Sequence, residues 1–144
     1  MSRWVSHASQ ALSAAGYRRG GARAAVLEVL ATQACALSAP EIEAAVVADG
    51  GRRVSRASVY RILEELEGLR LVTRLDLGGD QARFEMAEPD GHHHHHMVCR
   101  DCGEVVPFED EELEACIARL GQRSVFTVDE HDIVLRGHCG DCEG

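Results

Sequence analysis

The chain has 144 residues, 45% of them hydrophobic, and a formal net charge of −9. That length and apolar content suit one ordinary domain or two small ones with a buried core. No apolar run approaches the roughly 18 residues of a membrane span or resembles a signal-peptide core, so a cytoplasmic protein with no membrane partner is expected.

The acidity argues against nucleic acid until its distribution is read. Residues 1–74 carry ten arginines against seven acids, residues 75–144 carry five against seventeen, and there is no lysine. Every fixed cation is a guanidinium, the group suited to bidentate phosphate and guanine contacts. The asymmetry suggests a front half that meets something anionic and a back half with another task; two solvated surfaces of different composition are the plainer alternative.

In chain order, "ARAAVLEVLATQ" (22–33) places Val26, Leu27 and Leu30 on one side of an amphipathic helix. "SAPEIEAAVVADGG" predicts a second helix, with Ser38 as N-cap, Pro40 in the first turn, Glu41 three residues after the cap, and Gly50 and Gly51 at the end. "SRASVYRILEELEGLRLV" predicts a third, capped by Ser55 or Ser58 and stopped by Gly68, with Val59, Ile62, Leu63 and Leu66 on one face. "LVTRLDL" and "ARFEMA" alternate as strands, and "GGDQ" joins them into a hairpin. Three helices and a hairpin are the order of a winged helix, whose third helix enters the major groove of DNA. Arg56, Ser58, Tyr60 and Arg61 lie on the exposed side of that helix and Arg52 and Arg53 precede it, so positive charge gathers where a groove-reading helix needs it. Taken singly, each arginine reads as a solvated surface charge.

The back half opens on "GHHHHHMVCRDCG" (91–103). Cys99 and Cys102 form one Cys-x-x-Cys pair, Cys139 and Cys142 another, and two such pairs can close a tetrahedral thiolate shell around zinc. Gly103 and Gly140 beside them supply permissive backbone. No water-activating Glu sits in an H-x-E arrangement with these cysteines, so a structural zinc is expected and an enzyme is not. Between the pairs, "FEDEELEACIARLGQ" predicts an acidic helix with Leu113, Ile117 and Leu120 on its apolar face, ending at Gly121, and "SVFTVDEHDIVLRGHC" predicts two strands turning near Asp129 and Glu130. The histidines lead into an apolar run and are read as a strand, whose side chains alternate between faces. His92, His94 and His96 then face one way, His93 and His95 the other. A purification tag would sit at a terminus and be followed by a linker. Of the remaining cysteines, Cys35 is read as a small buried group in a helix-packing turn and Cys116 as core.

With these motifs assembled, "ASVYRILEELEGLRLVTR", "HHHHHMVCRDCG", "FEDEELE" and "GHCGDC" together resemble the ferric uptake regulator (Fur) family of metal-dependent bacterial repressors, over nearly the whole chain. The resemblance implies an α+β fold: an N-terminal winged helix-turn-helix DNA-binding domain over 1–87, then a small α/β metal-binding dimerisation domain over 88–144 with a three-stranded sheet and a structural zinc. It implies a homodimer that binds double-stranded operator DNA when a sensory site holds metal. By position, Tyr60 and Arg61 match major-groove and backbone contacts, and Arg18 a basic residue that reaches the minor groove. Cys99, Cys102, Cys139 and Cys142 match the structural zinc ligands. Glu85, His94 and His96 match the sensory site, and His93, His95, Glu114 and His131 a second site. The chain departs from the family pattern at Ala36, where many members have a histidine, and at Pro107, where they have a carboxylate; Cys35 and His7 are candidates to complete the sensory site. No cysteine ends the second wing strand, as one does in zinc-sensing members, so the sensory set is rich in nitrogen and oxygen and suits Fe(II), Zn(II) or Mn(II). The alternatives are a peroxide sensor of the same family and a zinc storage or delivery protein.

Overall fold

The structure is a computed structural model and describes residues 2–33, 35–50, 52–88 and 93–142. The chain divides into two compact units, Met1–His92 and His93–Gly144. None of the helices among the described residues is long and apolar enough to cross a membrane.

The first unit contains helices α1 (Arg3–Ala14), α2 (Gly21–Thr32), α3 (Ala39–Gly50) and α4 (Arg56–Gly68). Its sheet has the order β1-β3-β2, from β1 (Leu37–Ser38), β2 (Val72–Leu75) and β3 (Arg83–Met86). Strands β2 and β3 are the expected hairpin, with Val72 opposite Met86 and Leu75 opposite Arg83. Helix α4 buries Val59, Ile62, Leu63 and Leu66, the face its spacing predicts, against Val26, Leu27 and Ile42 of the common core. Ser55 is its N-cap, with Oγ accepting the Ser58 N–H at 3.2 Å. At the start of α3 the predicted reciprocal cap forms: the Ser38 N–H donates to the Glu41 carboxylate at 2.8 Å, and the Glu41 N–H donates to Ser38 Oγ at 3.4 Å. Arg83 on β3 joins that carboxylate at 2.9 Å, tying the wing to α3.

Two features of this unit were not legible in the sequence. Helix α1 buries Trp4, Val5, Ala8 and Leu12, but Ala8 is small and serines interrupt the segment, which dilutes the helical period. Helix α4 does end at Gly68, but the glycine is its last helical residue and the left-handed position falls two residues on, at Arg70 with φ 57°. There the Leu71 N–H donates to the Leu66 carbonyl and the Arg70 N–H to that of Glu67, each at 2.9 Å, the paired bonds of a Schellman close over buried Leu66 and Leu71. Helix α1 ends in the same motif with a glycine in the left-handed place, Gly16 at φ 88°. Gly51 lies outside the described residues.

The second unit is a three-stranded sheet of order β5-β4-β6, from β4 (His95–Cys99), β5 (Val105–Phe108) and β6 (Val134–Gly137), with helix α5 (Glu111–Arg123) between β5 and β6. Strands β4 and β5 are antiparallel and joined by the Cys99–Gly103 turn; β4 and β6 run parallel, as the crossover through α5 requires. Asp110 caps α5, accepting the Leu113 N–H at 2.8 Å. Among the described residues of this unit only His95, His96 and Cys99 are buried. Helix α5 buries none of its residues fully: of the predicted apolar face Leu113 and Ile117 are half-buried and Leu120 is exposed, and Cys116, expected in a core, is exposed. "SVFTV" forms no strand; Val125 and Phe126 stand in solvent. The periodicity of these segments is real, but among the described residues it is only partly covered. His92 lies outside the described residues, so its face on the histidine run is not described.

Arg70 holds a conformation that costs an L-residue with a Cβ on the order of 1 kcal/mol relative to glycine. Arg70→Gly is therefore expected to stabilise the first unit by about that amount, seen as a higher urea midpoint by helical circular dichroism. An unchanged or lower midpoint would contradict the role given to Arg70.

Candidate functional site

Four thiols meet in the second unit. The Sγ atoms of Cys99, Cys102, Cys139 and Cys142 lie within 4.8 Å of one another. Cys99 ends β4, Cys102 lies in the turn that follows, and Cys139 and Cys142 follow β6, so the parallel β4–β6 pairing brings the two Cys-x-x-Cys pairs to one end of the sheet. Cys102 Sγ and Cys139 Sγ are 3.8 Å apart, the edge, about 3.8 Å, of a tetrahedron with metal–sulfur bonds of about 2.3 Å. Backbone amides serve the sulfurs: the Cys139 N–H donates to Cys99 Sγ at 3.3 Å. Amides of Cys102 and Cys139 hold the Cys99 thiol down to about 6, while hydrogen bonding with the thiols of Cys139 and Cys102 pushes Cys142 up to about 12. Four thiolates this close repel one another and call for a divalent cation, so the donor set fits zinc. Gly103 takes φ 77° as the turn demands; Gly140 does not enter the left-handed region. His138 Nδ1 and Asp101 Oδ2, 2.7 Å apart, bridge the two pairs, a contact the sequence did not announce.

At the other end of β4, His93, His95, Glu114 and His131 form a second cluster, again with ligand atoms within 4.8 Å. Glu114 on α5 is its centre: Oε1 is 2.5 Å from His95 Nε2, and Oε2 is 2.7 Å from His131 Nε2 and 3.5 Å from His93 Nε2. Hydrogen bonds from His95 and then His131 hold the Glu114 carboxyl below the usual range. His95 is fixed from behind, its Nδ1 accepting the Ile133 N–H at 3.1 Å, which places the proton of the neutral ring on Nε2, facing Glu114. The rings of His93 and His95 are 5.0 Å apart, and those of His94 and His96 are 4.9 Å apart. His94 is half-buried and His96 buried. Pro107 stands opposite His96 on the edge strand β5, where a proline is tolerated and no carboxylate is offered.

In the first unit Glu85 lies on β3 and is half-buried, as is Cys35, whose thiol is pushed up by burial first and by the Glu85 carboxylate to a lesser degree. Tyr60 is 42% exposed on α4, Arg61 beside it is exposed, and Arg18 is exposed in the segment between α1 and α2. Arg56 is paired with Glu43 at 2.9 Å. Ser58 is half-buried and bonded to the capping Ser55, so its first task is local.

A winged helix in the same chain as two clusters of metal-ligating side chains is the make-up of a metal-responsive regulator. The chain belongs to the ferric uptake regulator family, whose model matches residues 14–136; the family consists of transcription regulators, not enzymes. The ferric uptake regulation protein of Vibrio anguillarum is 35% identical over 138 residues, 95% of this chain and 91% of that protein. The ferric uptake regulator Fur of Helicobacter pylori, described as having three functional metal binding sites, superposes with a TM-score of 0.84 at 26% identity, covering 98% of this chain and 92% of that one. The ferric uptake regulator of Pseudomonas aeruginosa, solved with manganese, gives 0.74 at 31% identity and covers 92% and 97%.

Cys99→Ser and Cys139→Ser are each expected to lose one equivalent of zinc per chain, measured by elemental analysis, together with the near-native circular dichroism of the second unit. Either variant retaining its structure without that metal would show that the thiols do not hold the unit together.

Proposed function

We propose that the protein is a cytoplasmic, metal-responsive transcriptional repressor that binds double-stranded operator DNA as a homodimer when its sensory site holds Fe(II) or Zn(II), Mn(II) also fitting the donors. Residues 1–87 serve as the DNA-binding domain and 88–144 as the metal-binding dimerisation domain. The observation that carries this reading is the division of the histidine run: His93 and His95 turn toward Glu114 and His131, while His94 and His96 pair on the other side of the strand. Cys99, Cys102, Cys139 and Cys142 hold a structural zinc. Glu85 with His94 and His96 holds the sensory metal, and His93, His95, Glu114 and His131 hold a further ion. The sensory donors are nitrogen and oxygen, which suits all three candidate metals. With a cation bound there, metal affinity and DNA affinity rise together by linkage.

On the DNA side, α4 enters the major groove with Tyr60 at base edges and Arg61 at the backbone. Ser58 and Arg56 lie near phosphates, Arg56 exchanging Glu43 for one, and Arg18 reaches the minor groove. The homodimer is supported by apolar surface left open in the second unit. Met97, Val106 and Leu135 stand in register across the three strands and are each almost half exposed, and Leu120, Val125 and Phe126 are more exposed still. A zinc store would use the same histidines but has no need of the outward Tyr60 and Arg61; metal-dependent duplex binding separates the two readings.

The test is a metal titration of DNA binding by fluorescence anisotropy, with dimer mass measured alongside. His94→Ala and His96→Ala are expected to abolish the metal dependence and keep the dimer. His93→Ala and His95→Ala are expected mainly to lower metal content or dimer stability. Identical behaviour of all four, or the reverse pattern, would require the sensor to be reassigned.

Leu135→Asp places a charge in the middle of the apolar row. It is expected to raise the monomer fraction in sedimentation and to weaken operator binding at least tenfold, on the order of what losing one of two half-sites entails. A fully dimeric Leu135→Asp would move the interface elsewhere.

A further inference from the structure

We propose that Arg23 is a positioning residue that ties the basic segment between α1 and α2 to the DNA-reading helix α4, so that Arg18 and the Tyr60–Arg61 face meet a duplex in one fixed register. The proposal rests on the DNA-binding reading given above. Arg23 lies in the first turn of α2, and its guanidinium acts in three directions. Nε and Nη2 form a two-point fork with the Glu65 carboxylate on α4, at 2.7 and 2.8 Å. Nη1 donates to the backbone carbonyl of Arg18 at 3.2 Å. The guanidinium carbon stands 5.4 Å over the ring of Tyr17. The side chains of Arg23 and Glu65 are only 21% and 12% exposed, so the fork is shielded and stronger than a surface ion pair.

The segment it grips is held at its ends as well: Tyr17 packs against the core and its N–H donates to the Leu12 carbonyl at 3.0 Å, and the Arg52 guanidinium lies against Gly21. It opens with Gly16 in the left-handed region, and Gly20 leads into α2 with no side-chain cap. The carbonyl of Arg18 is anchored by Arg23 while its side chain remains exposed. Arg23 thus joins the backbone of Arg18 directly to α4 through the Glu65 carboxylate. A lysine at 23 keeps the charge but offers no fork, and cannot hold Glu65 and the Arg18 carbonyl with the same geometry. The binding consequence is specific. Freeing the segment leaves α4 and its major-groove contacts in place, and removes the ordering that lets Arg18 enter the minor groove without an added entropic cost.

The experiment uses the full-length metal-loaded protein and duplexes selected in vitro from random sequence for binding to it. In the flanks of the selected site, inosine–cytosine pairs are compared with guanine–cytosine pairs, which differ only by the minor-groove 2-amino group. Wild type is expected to prefer the inosine flanks by roughly tenfold, the scale of one lost base-pair contact. Arg23→Lys and Glu65→Gln are expected to bring that ratio close to one, while discrimination against substitutions in the core of the site and the melting temperature stay near wild type. Arg18→Ala should also remove the ratio, and Arg18→Ala with Arg23→Lys should match Arg18→Ala alone. The proposal is overturned if either clamp variant keeps the wild-type ratio, if affinity falls equally on both flanks, if the double variant shows additive losses, or if wild type itself shows no preference. Failure of wild type to bind any duplex in the presence of metal would instead remove the DNA-binding reading on which the proposal stands.

Discussion

The second unit depends on ligand chemistry where most small domains depend on a core. Among its described residues only His95, His96 and Cys99 are buried, far too little apolar area to order some fifty residues. Strand β4 acts as a bar with a polar cluster at each end: the thiols close the turn into β5 onto the end of β6, and Glu114 draws α5 toward His95 and His131. Four thiols 4.8 Å apart or less repel as they ionise, and three imidazoles around one carboxylate must share protons. A divalent cation would relieve both arrangements, and its binding would then be coupled to the folding of this unit.

The first unit is built on the opposite principle. Its helices and wing share one apolar core running from Trp4 to Phe84, and its polar groups are free for the surface or for joints between elements. Three of those joints are bidentate or paired: Ser38 with Glu41, Arg83 with Glu41, and Arg23 with Glu65. Each uses a charged side chain to fix an element that the core alone leaves adjustable: the start of α3, the wing, and the segment before α2. With no lysine in the chain, every such cationic joint is a guanidinium able to contact two or three groups at once.

Two positions depart from the family pattern. Pro107 removes a carboxylate from the position opposite His96, and Ala36 removes an imidazole, leaving the half-buried thiol of Cys35 as its neighbour.

By itself the sequence determined α2 to α4 and the wing, because their caps and periods are local: Ser55 before Val59-x-x-Ile62-Leu63, Ser38 with Glu41, and a Gly-rich turn between alternating strands. It also determined the grouping of the cysteines and the two faces of the histidine run, because strand alternation is a property of the backbone. Tertiary structure alone decided the rest. Helix α1 is recognisable only once Ala8 is seen at 0% exposure in a crowded core. The left-handed close of α4 at Arg70 depends on where Leu71 can be buried. Cys116 and the apolar side of α5 looked like core from their period, yet Cys116 and Leu120 are exposed and Leu113 and Ile117 only half-buried, because period says which residues share a face and not how fully it is covered. The fork between Arg23 and Glu65 spans 42 positions, and no local pattern selects one guanidinium among fifteen; only the packing of α2 against α4 brings those two charges within bonding distance and makes desolvating them favourable.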